Sequence, residues 1–372
     1  MILVTDRLVS GHDDLSPAWI QIESGTVTAL GTGGPPAGAT TTVAGTIVPG
    51  FIDLHAHGAL GFDFGRASAD EIGMAVAHHS GLGTTTMIAS VASGTRLSTV
   101  GALRRLAPLV HVGTLAGVHL EGPFLSHAHR GAHNPVHLRL PTIAEAESLL
   151  DAADGTLRMV TIAPEMSGAE PVVRRFADAG VVVAIGHSDA LAETASASID
   201  WGVSHVTHLF NGMPELLHRS PGPVGVALSD DRLTVELILD GVHVAREAAL
   251  TALRAAPDRI ALVSDASEAT GNPDGDYEIA GSRVRVTAGV ARLADGSSLA
   301  GSTRAVAEGF RRAATLPGLS LRDAVRITSM TPARVLRRST AGLEPFAPAD
   351  LVVVDSQSHR VLRVMKGGQW LE

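Results

Sequence analysis

Acidic and histidine side chains stand at the ends of short apolar runs in this 372-residue chain. They are Glu121, His187, His208 and Asp265. In a parallel β/α barrel the carboxyl ends of all strands share one face, and that face carries the active site. Residues distant in sequence would meet there. Two histidines and one carboxylate can hold a metal cation and leave a coordination position open for water. A carboxylate beside that water can accept its proton, and we assign this role to Asp265.

Each of these residues also has a plain structural interpretation. A single buried histidine is often part of a core and satisfied by hydrogen bonds. Glu121 could cap the loop that follows it or pair with an arginine, and Asp265 could be the N-cap of a turn at Ala266. The common position of all four at strand ends favours the catalytic interpretation.

A His-X-His pair, His55 and His57, ends the first apolar run. Residues two apart on a strand share a face, so both imidazoles would point into the mouth of a barrel and could hold a divalent cation. For an isolated pair a core or surface position is the commoner interpretation, but the further candidate ligands at the same predicted rim favour a metal site. The same parity places His119 on the face of Glu121, as a support for the metal site, and places His205 opposite to His208, towards the helices.

The composition is that of an ordinary globular protein, with 45% hydrophobic and 18% charged residues. A net charge of −9 gives no reason to expect nucleic acid or an anionic membrane as partner. Cysteine is absent, which excludes disulfides and thiolate chemistry. The first residues do not read as a signal peptide, and no apolar run approaches the ~18 residues of a membrane span. We therefore expect a cytoplasmic protein.

Basic residues are almost all arginine, because Lys366 is the single lysine among 29 basic side chains. Genomic base composition is the simplest cause. The consequence is nevertheless chemical, since no strand of the barrel can supply a carboxylated lysine to bridge two metals. A glutamate such as Glu121 could supply the bridging oxygen instead.

The middle of the chain alternates apolar runs with amphipathic stretches, the pattern of repeated βαβ units. Eight such runs predict a closed (β/α)8 barrel of the TIM type. The predicted strands are 52–57, 84–90, 114–121, 158–164, 181–187, 204–210, 234–240 and 260–265. Predicted helices include 69–80, 143–153 and 170–179, and a hairpin at 277–293 precedes a helix at 303–315.

Both ends of the chain are rich in short β-like pieces separated by turns. We predict that residues 1–49 and 340–372 pair into one small β-sandwich domain. Residues 50–339 would then form the barrel.

Read together, the motifs resemble the amidohydrolase superfamily, over most of the chain. The matching stretches are 49–58 (PGFIDLHAHG), 119–124 (HLEGPF), 130–133 (RGAH), 186–190 (GHSDA), 208–213 (HLFNGM), 218–222 (HRSPG), 240–243 (DGVH), 264–266 (SDA) and 300–302 (AGS).

The resemblance implies a metal-dependent hydrolase that removes acetate from N-acetylglucosamine 6-phosphate. It implies a divalent cation on Glu121, His187 and His208, with Asp265 as general base and acid, and it allows a second cation at His55 and His57. Zn, Fe, Mn and Co all accept such ligands.

Substrate contacts follow from the same resemblance. His133 would meet the acetyl carbonyl, while Asn211, the Gly212 backbone and His243 would hold the sugar phosphate. Arg219 would cross a homodimer to the phosphate of the neighbouring subunit. Without the resemblance we would interpret Arg219 as a charged residue on a solvent-exposed loop.

Rival functions remain open at this point. N-acetylgalactosamine 6-phosphate differs by one epimeric hydroxyl, for which the sequence has no readable mark. Another amidohydrolase acting on a cyclic amide, an N-acyl amino acid or a nucleobase is a second alternative. A barrel that binds without catalysis is the third, although such a protein has no need of Glu121, His187, His208 and Asp265 together.

Overall fold

A computed structural model of the protein describes residues 1–340 and 342–372. The strands are β1 (Ile2–Thr5), β2 (Arg7–Val9), β3 (Asp14–Leu15), β4 (Ala18–Glu23), β5 (Thr26–Thr32), β6 (Thr40–Thr42), β7 (Thr46–Pro49), β8 (Phe51–Asp53), β9 (Gly58–Ala59), β10 (Phe62–Asp63), β11 (Thr84–Ala92), β12 (Gly117–Glu121), β13 (Leu157–Ile162), β14 (Val182–Ile185), β15 (Val203–Val206), β16 (Thr234–Ile238), β17 (Ile260–Val263), β18 (Gly275–Ile279), β19 (Ser282–Thr287), β20 (Val290–Leu293), β21 (Leu351–Val354), β22 (Val361–Lys366) and β23 (Gln369–Trp370).

The α-helices are α1 (Ala69–Gly81), α2 (Arg96–His111), α3 (Ile143–Ala153), α4 (Ala169–Asp178), α5 (Ala192–Trp201), α6 (Gly222–Ser229), α7 (Arg246–Ala255), α8 (Val306–Thr315), α9 (Leu321–Val325) and α10 (Thr331–Val335). A short 3₁₀ helix covers Pro135–His137, and a π-helical turn covers Arg326–Met330. Within the described ranges no helix has the length and apolarity needed to cross a membrane.

Eight parallel strands form one sheet in the order β17-β16-β15-β14-β13-β12-β11-β8. Strands such as β13 and β17 are buried almost throughout, as expected of parallel strands covered on both faces. The segments that follow the two outermost strands, β8 and β17, contact each other. The backbone N–H of Asp265 donates to the carbonyl of His55 at 2.8 Å. A parallel bridge between Ala56 and Ala266 continues this contact. The predicted (β/α)8 barrel is confirmed.

Side-chain caps start several of the barrel helices. Thr95 accepts a hydrogen bond from the backbone N–H of Ser98 at the start of α2, and Thr142 accepts one from Glu145 at the start of α3. These bonds satisfy amides that have no partner within the helix. At the end of α5, Gly202 has φ = 119°, a conformation that favours glycine.

The contacts divide the chain into two compact units. One comprises 1–53, 77–86 and 305–372, and the other comprises 54–76 and 87–304. In the first, strands from both chain ends join, since β7 pairs antiparallel with β21. The sheets β5-β4-β1-β6 and β23-β22-β21-β7-β2-β3 share one apolar core there, which includes Leu3, Ile20, Ile47 and Leu351. The chain ends therefore form a sandwich, as predicted, whereas the proposed boundaries at 49 and 340 stay a prediction.

Within the second unit, the segment after Asp265 was predicted as a hairpin. It forms a three-stranded antiparallel sheet, β18-β19-β20. Its apolar side, with Ile279, Val284 and Val286, packs with Ala269 and Ala300 in a small core of its own. Ile279 and Ala280 reach the rim of the cavity described below.

Helix α2 provides a matched test of its packing. Leu103 is 0% exposed and Leu97 is 84% exposed on the same helix. We expect Leu103→Ala to lower the free energy of unfolding by about 2–5 kcal/mol, because it removes buried methyl groups and leaves a cavity. Leu97→Ala should change it by less than about 0.5 kcal/mol. Urea unfolding of both variants measures the difference, and equal losses would contradict the assigned orientation of α2.

Candidate metal centre and active site

Three predicted site residues lie just beyond the strands, in an unusual backbone conformation. His187, His208 and Asp265 have φ values of 48°, 26° and 51°. Left-handed φ is uncommon for residues other than glycine and costs of order 1–3 kcal/mol, so it persists where the surroundings enforce it. The turn at each strand end directs these side chains into a shared cluster. Because the strands end at Ile185, Val206 and Val263, the predicted strands were slightly too long.

Glu121 is the centre of the cluster. Its Oε1 lies 3.0 Å from His187 Nε2 and 3.1 Å from His208 Nε2. The two Nε2 atoms are themselves 3.0 Å apart. These three atoms converge on one point, and all three residues are buried.

A second group of donor atoms lies on the other side of the same carboxylate. His55 Nε2 is 3.1 Å from His57 Nε2, and His57 Nε2 is 3.2 Å from Glu121 Oε2. Asp265 Oδ1 lies 3.5 Å from the Nε2 atoms of both histidines. Glu121 therefore contacts both groups, because Oε1 lies near His187, His208 and, at 3.4 Å, His55 Nε2, whereas Oε2 lies near His57.

The spacing of both groups fits a divalent cation. Four ligands at about 2.0–2.1 Å from a tetrahedral cation lie about 3.3–3.4 Å from one another. The donor atoms here are 3.0 to 3.5 Å apart. Facing imidazole nitrogens at 3.0–3.1 Å also need a proton or a cation between them. Imidazole and carboxylate together suit Zn, Fe, Mn and Co.

Hydrogen bonds at the far ring nitrogens orient two of the histidines. The Nδ1–H of His187 donates to the carbonyl of His129 at 2.8 Å, which leaves the Nε2 lone pair directed at Glu121. His133 has the opposite tautomer, because its Nδ1 accepts from the backbone N–H of Ser93 at 3.3 Å. Its Nε2–H therefore donates to Glu121 Oε2 at 3.1 Å. Gly212 leaves room for the ring of His187, since a Cβ at position 212 would lie 2.8 Å from His187 Nδ1.

The charges of the cluster are strongly coupled. Burial disfavours the ionised carboxyl of Glu121, but His55, His133 and His187 outweigh it and hold its pKa well below its usual value. Burial likewise disfavours charged imidazoles, yet Glu121 and its acidic neighbours raise the pKa of His55 and of His57. For His133, burial prevails and lowers the pKa. The site is therefore built to hold positive charge against Glu121.

A cavity of about 270 Å³ opens above the cluster. The predicted site residues that line it are His57, Glu121, His133, His187, His208, Asn211, Gly212, His243 and Asp265. His55 is fully buried beneath them. Arg219 lies on an exposed loop and is outside the lining of this cavity.

Two acids that the sequence analysis did not select also line this cavity. They are Asp63 and Glu268. Burial and the neighbouring Asp63 raise the pKa of Glu268 to about 7. No short motif marks either residue, so only the tertiary structure identifies them.

His243 is held by Asp240 at the cavity wall. Its Nδ1 lies 2.9 Å from Asp240 Oδ2, which also accepts from the Ser302 hydroxyl at 3.0 Å. Burial opposes protonation of His243, but the hydrogen bond and charge of Asp240 prevail and raise its pKa. An imidazolium with its other nitrogen available can bind an anion.

The prediction that His205 faces the helices is wrong. His205 Nε2 lies 3.2 Å from Glu236 Oε1, and Glu236 Oε2 lies 3.0 Å from His55 Nδ1. The parity argument failed because β15 ends at Val206 and His208 has left-handed φ. His119, in contrast, meets the ring of His55 at 4.7 Å between centroids, which agrees with its predicted support of the site.

Comparison with known proteins agrees with this site. The model of the amidohydrolase family matches residues 46–371. The chain belongs to the amidohydrolase family. N-acetyl-D-glucosamine-6-phosphate deacetylase from Mycobacterium smegmatis, a solved structure, is 42% identical with a TM-score of 0.97, and the alignment covers 100% of both chains. A mutant of that enzyme, solved with N-acetyl-D-glucosamine-6-phosphate, has the same identity and TM-score, with 100% of this chain and 98% of that chain covered.

Curated relatives of this amidohydrolase include two kinds of deacetylase. The N-acetylgalactosamine-6-phosphate deacetylase of Escherichia coli O157:H7 is 34% identical, with 96% of each chain covered. The N-acetylglucosamine-6-phosphate deacetylase of Vibrio furnissii is 33% identical, with 90% of this chain and 86% of that one covered.

Protons and cations should compete for the cluster of this amidohydrolase. The pKa values of His55 and His57 are raised in the cation-free protein, so both rings retain protons towards neutral pH and must lose them to act as ligands. The apparent affinity for Zn²⁺ should therefore rise with pH, about tenfold per pH unit for each proton displaced. Calorimetry in buffers of different ionisation enthalpy counts the protons.

The Glu121→Gln variant is the control for this experiment, because it removes a carboxylate that raises both pKa values. It should bind Zn²⁺ more weakly and release fewer protons. An affinity independent of pH in the unaltered protein would contradict the assigned charges.

Proposed function

We propose that the protein hydrolyses the acetamide of N-acetyl-D-glucosamine 6-phosphate to D-glucosamine 6-phosphate and acetate. The observation that carries this proposal is the buried Glu121 cluster beneath a cavity, in a chain 42% identical over its full length to a deacetylase of that specificity. Cation ligands, a proton-accepting carboxylate and an anion-binding wall are the parts that the reaction requires.

The proposed cation ligands are Glu121, His187 and His208, with a second position at His55 and His57. When bound, a Zn, Fe, Mn or Co ion would supply Lewis acidity, which polarises a carbonyl oxygen and acidifies water. The charge balance supports this assignment, because Glu121 and its acidic neighbours raise the pKa values of His55 and His57 and so favour positive charge at this position.

We assign proton transfer to Asp265 and binding of the acetyl carbonyl to His133. Asp265 accepts a proton as the water oxygen attacks the acetyl carbon, and returns it to the amide nitrogen as the C–N bond breaks. His133 holds its proton on Nε2 towards the centre of the site, so it can donate a hydrogen bond to the acetyl carbonyl. His133 is buried and the Asp265 side chain is 13% exposed, so bulk water has little access to either group.

The same cavity carries groups that suit a phosphate. The amide of Gly212, the side chain of Asn211 and the imidazolium of His243 line one cavity, and Asp240 favours the charged form of His243. Phosphate at neutral pH is an anion that accepts several hydrogen bonds. We assign these three residues to the 6-phosphate.

Arg219 completes the proposed phosphate site from a second subunit. The residue is exposed and does not line the cavity of its own chain, which leaves its guanidinium accessible to a neighbouring subunit. Arginine binds phosphate through two parallel hydrogen bonds. We therefore propose a homodimer. We also propose a cytoplasmic location. The domain division that we propose is a sandwich of residues 1–49 and 340–372 and a barrel of residues 50–339.

N-acetylgalactosamine 6-phosphate is the second candidate substrate. A relative of that specificity is 34% identical over 96% of this chain. The two sugars share the acetamide and phosphate and differ only at one hydroxyl. The same cluster and phosphate wall would serve both.

Substrate preference is measured by acetate release with divalent cation present. We expect rapid release from N-acetylglucosamine 6-phosphate and a loss of at least about 100-fold in kcat/KM without the phosphate, because one charged contact contributes about 1.5–3 kcal/mol and several are assigned. N-acetylgalactosamine 6-phosphate is assayed beside it. Equal rates with and without phosphate would contradict the roles of Asn211, Gly212 and His243, and acetate release from none of the sugars would refute the proposed reaction.

Mixed dimers test Asp265 and Arg219 together. Asp265→Asn should lower kcat by about 10²–10⁴-fold by removing the proton acceptor, with cation content retained at Glu121, His187 and His208. Arg219→Ala should chiefly raise KM for the phosphorylated substrate. At substrate concentrations far below the KM of Arg219→Ala, where both variants turn over little, reassembling them should restore roughly a quarter of the activity, because half of random dimers contain one site with both residues intact. No recovery would place Arg219 within its own subunit or outside the site.

A further inference from the structure

Glu236 is a fully buried carboxylate in the middle of strand β16. Its Oε2 lies 3.0 Å from His55 Nδ1 and accepts from the backbone N–H of His208 at 3.1 Å. Its Oε1 lies 3.2 Å from His205 Nε2. One side chain thus contacts a residue from each of the two donor groups around Glu121.

The contacts determine which atoms carry protons. Three nitrogens surround the two oxygens of Glu236, and the backbone N–H of His208 can only donate, so the side chain acts as a carboxylate that accepts from all three. His55 Nδ1 and His205 Nε2 must then be N–H donors. In agreement, the other ring nitrogen of His205, Nδ1, has no hydrogen-bond partner among residues 1–340 and 342–372.

This proton arrangement has a consequence on the opposite side of the His55 ring. With its Nδ1–H directed at Glu236, a neutral His55 presents the lone pair of Nε2 to His57 Nε2, 3.1 Å away, and to Glu121 Oε1, 3.4 Å away. A carboxylate behind a histidine ligand selects the tautomer, fixes the ring and raises its basicity.

We propose that Glu236 is a positioning residue that creates the second cation position, the one between His55 and His57. It does so by holding His55 in the Nδ1–H tautomer, with the lone pair of Nε2 directed at that position. The same carboxylate fixes the His208 backbone and thereby ties the two donor groups together. This inference rests on the proposed metal centre and is independent of which sugar is hydrolysed.

Glu236→Gln is the direct test. A glutamine has one acceptor oxygen and one NH₂ group, so it cannot accept from both imidazoles and the His208 amide as the carboxylate does. At least one ring must turn or move its proton to the nitrogen that should bind the cation. We expect the number of tightly bound Zn²⁺ ions to fall from two to one, and the affinity of the weaker site to drop about 10–100-fold.

Stoichiometry is measured by elemental analysis after dialysis, and affinity by calorimetry, so the result does not depend on catalysis. Glu145→Gln is the matched control. Glu145 is also a buried carboxylate of the barrel unit, but it pairs with Arg96 and Arg139. This variant should retain two Zn²⁺ ions.

Several results would overturn the proposal. These are one ion per chain in the unaltered protein, two ions of unchanged affinity in Glu236→Gln, or loss of the second ion in Glu145→Gln as well. If Glu236→Gln fails to fold, ¹⁵N NMR of the Zn²⁺-loaded unaltered protein decides instead. A protonated Nδ1 on His55 supports the proposal, and a protonated Nε2 refutes it. Acetate release, measured separately, reports failure of the proposed reaction.

Discussion

The interaction on which the site depends is the burial of the Glu121 carboxylate among imidazoles. An isolated carboxylate in a barrel interior would pay a large desolvation penalty and would take up a proton instead. Here ring nitrogens of His57, His133, His187 and His208 lie within 3.2 Å of its two oxygens. The anion is stable because positive charge is always nearby, whether as protons on imidazoles or as a cation. Imidazoles and a carboxylate packed in this way are groups that could hold a metal ion.

Fixed partners behind the imidazoles are the second requirement. Glu236 stands behind His55, the carbonyl of His129 behind His187, and Asp240 behind His243. Each partner selects one tautomer or charge state and thereby decides which ring nitrogen faces the cavity. The orientation of the site is therefore set by residues that do not themselves line its centre.

Backbone geometry at the strand ends completes the arrangement. Left-handed turns at His187, His208 and Asp265 rotate the side chains away from the alternation of the preceding strands. Such conformations are unfavourable in isolation, and the surrounding barrel has to enforce them. The hydrogen bond from the Asp265 amide to the His55 carbonyl, where the first and last strands of the barrel meet, is part of that enforcement. The same hydrogen bond thus links the two ends of the barrel sheet and helps to place Asp265 in the site.

The amino-acid sequence by itself determined the eight-stranded barrel and the cluster of Glu121, His187 and His208, because apolar periodicity and strand-end polar residues are local signals. The sequence was misleading for His205. The prediction for this residue assumed that side chains alternate as far as His208, but β15 ends at Val206 and His208 has left-handed φ. Glu236 carried a readable signal, a carboxylate inside an apolar strand, but its partners come from β15 and from the turns after β8 and β15. Only the tertiary structure decided those pairings, and with them the tautomers and charges of the site. Hydrogen bonding and burial depend on neighbours in space, which no local sequence pattern specifies.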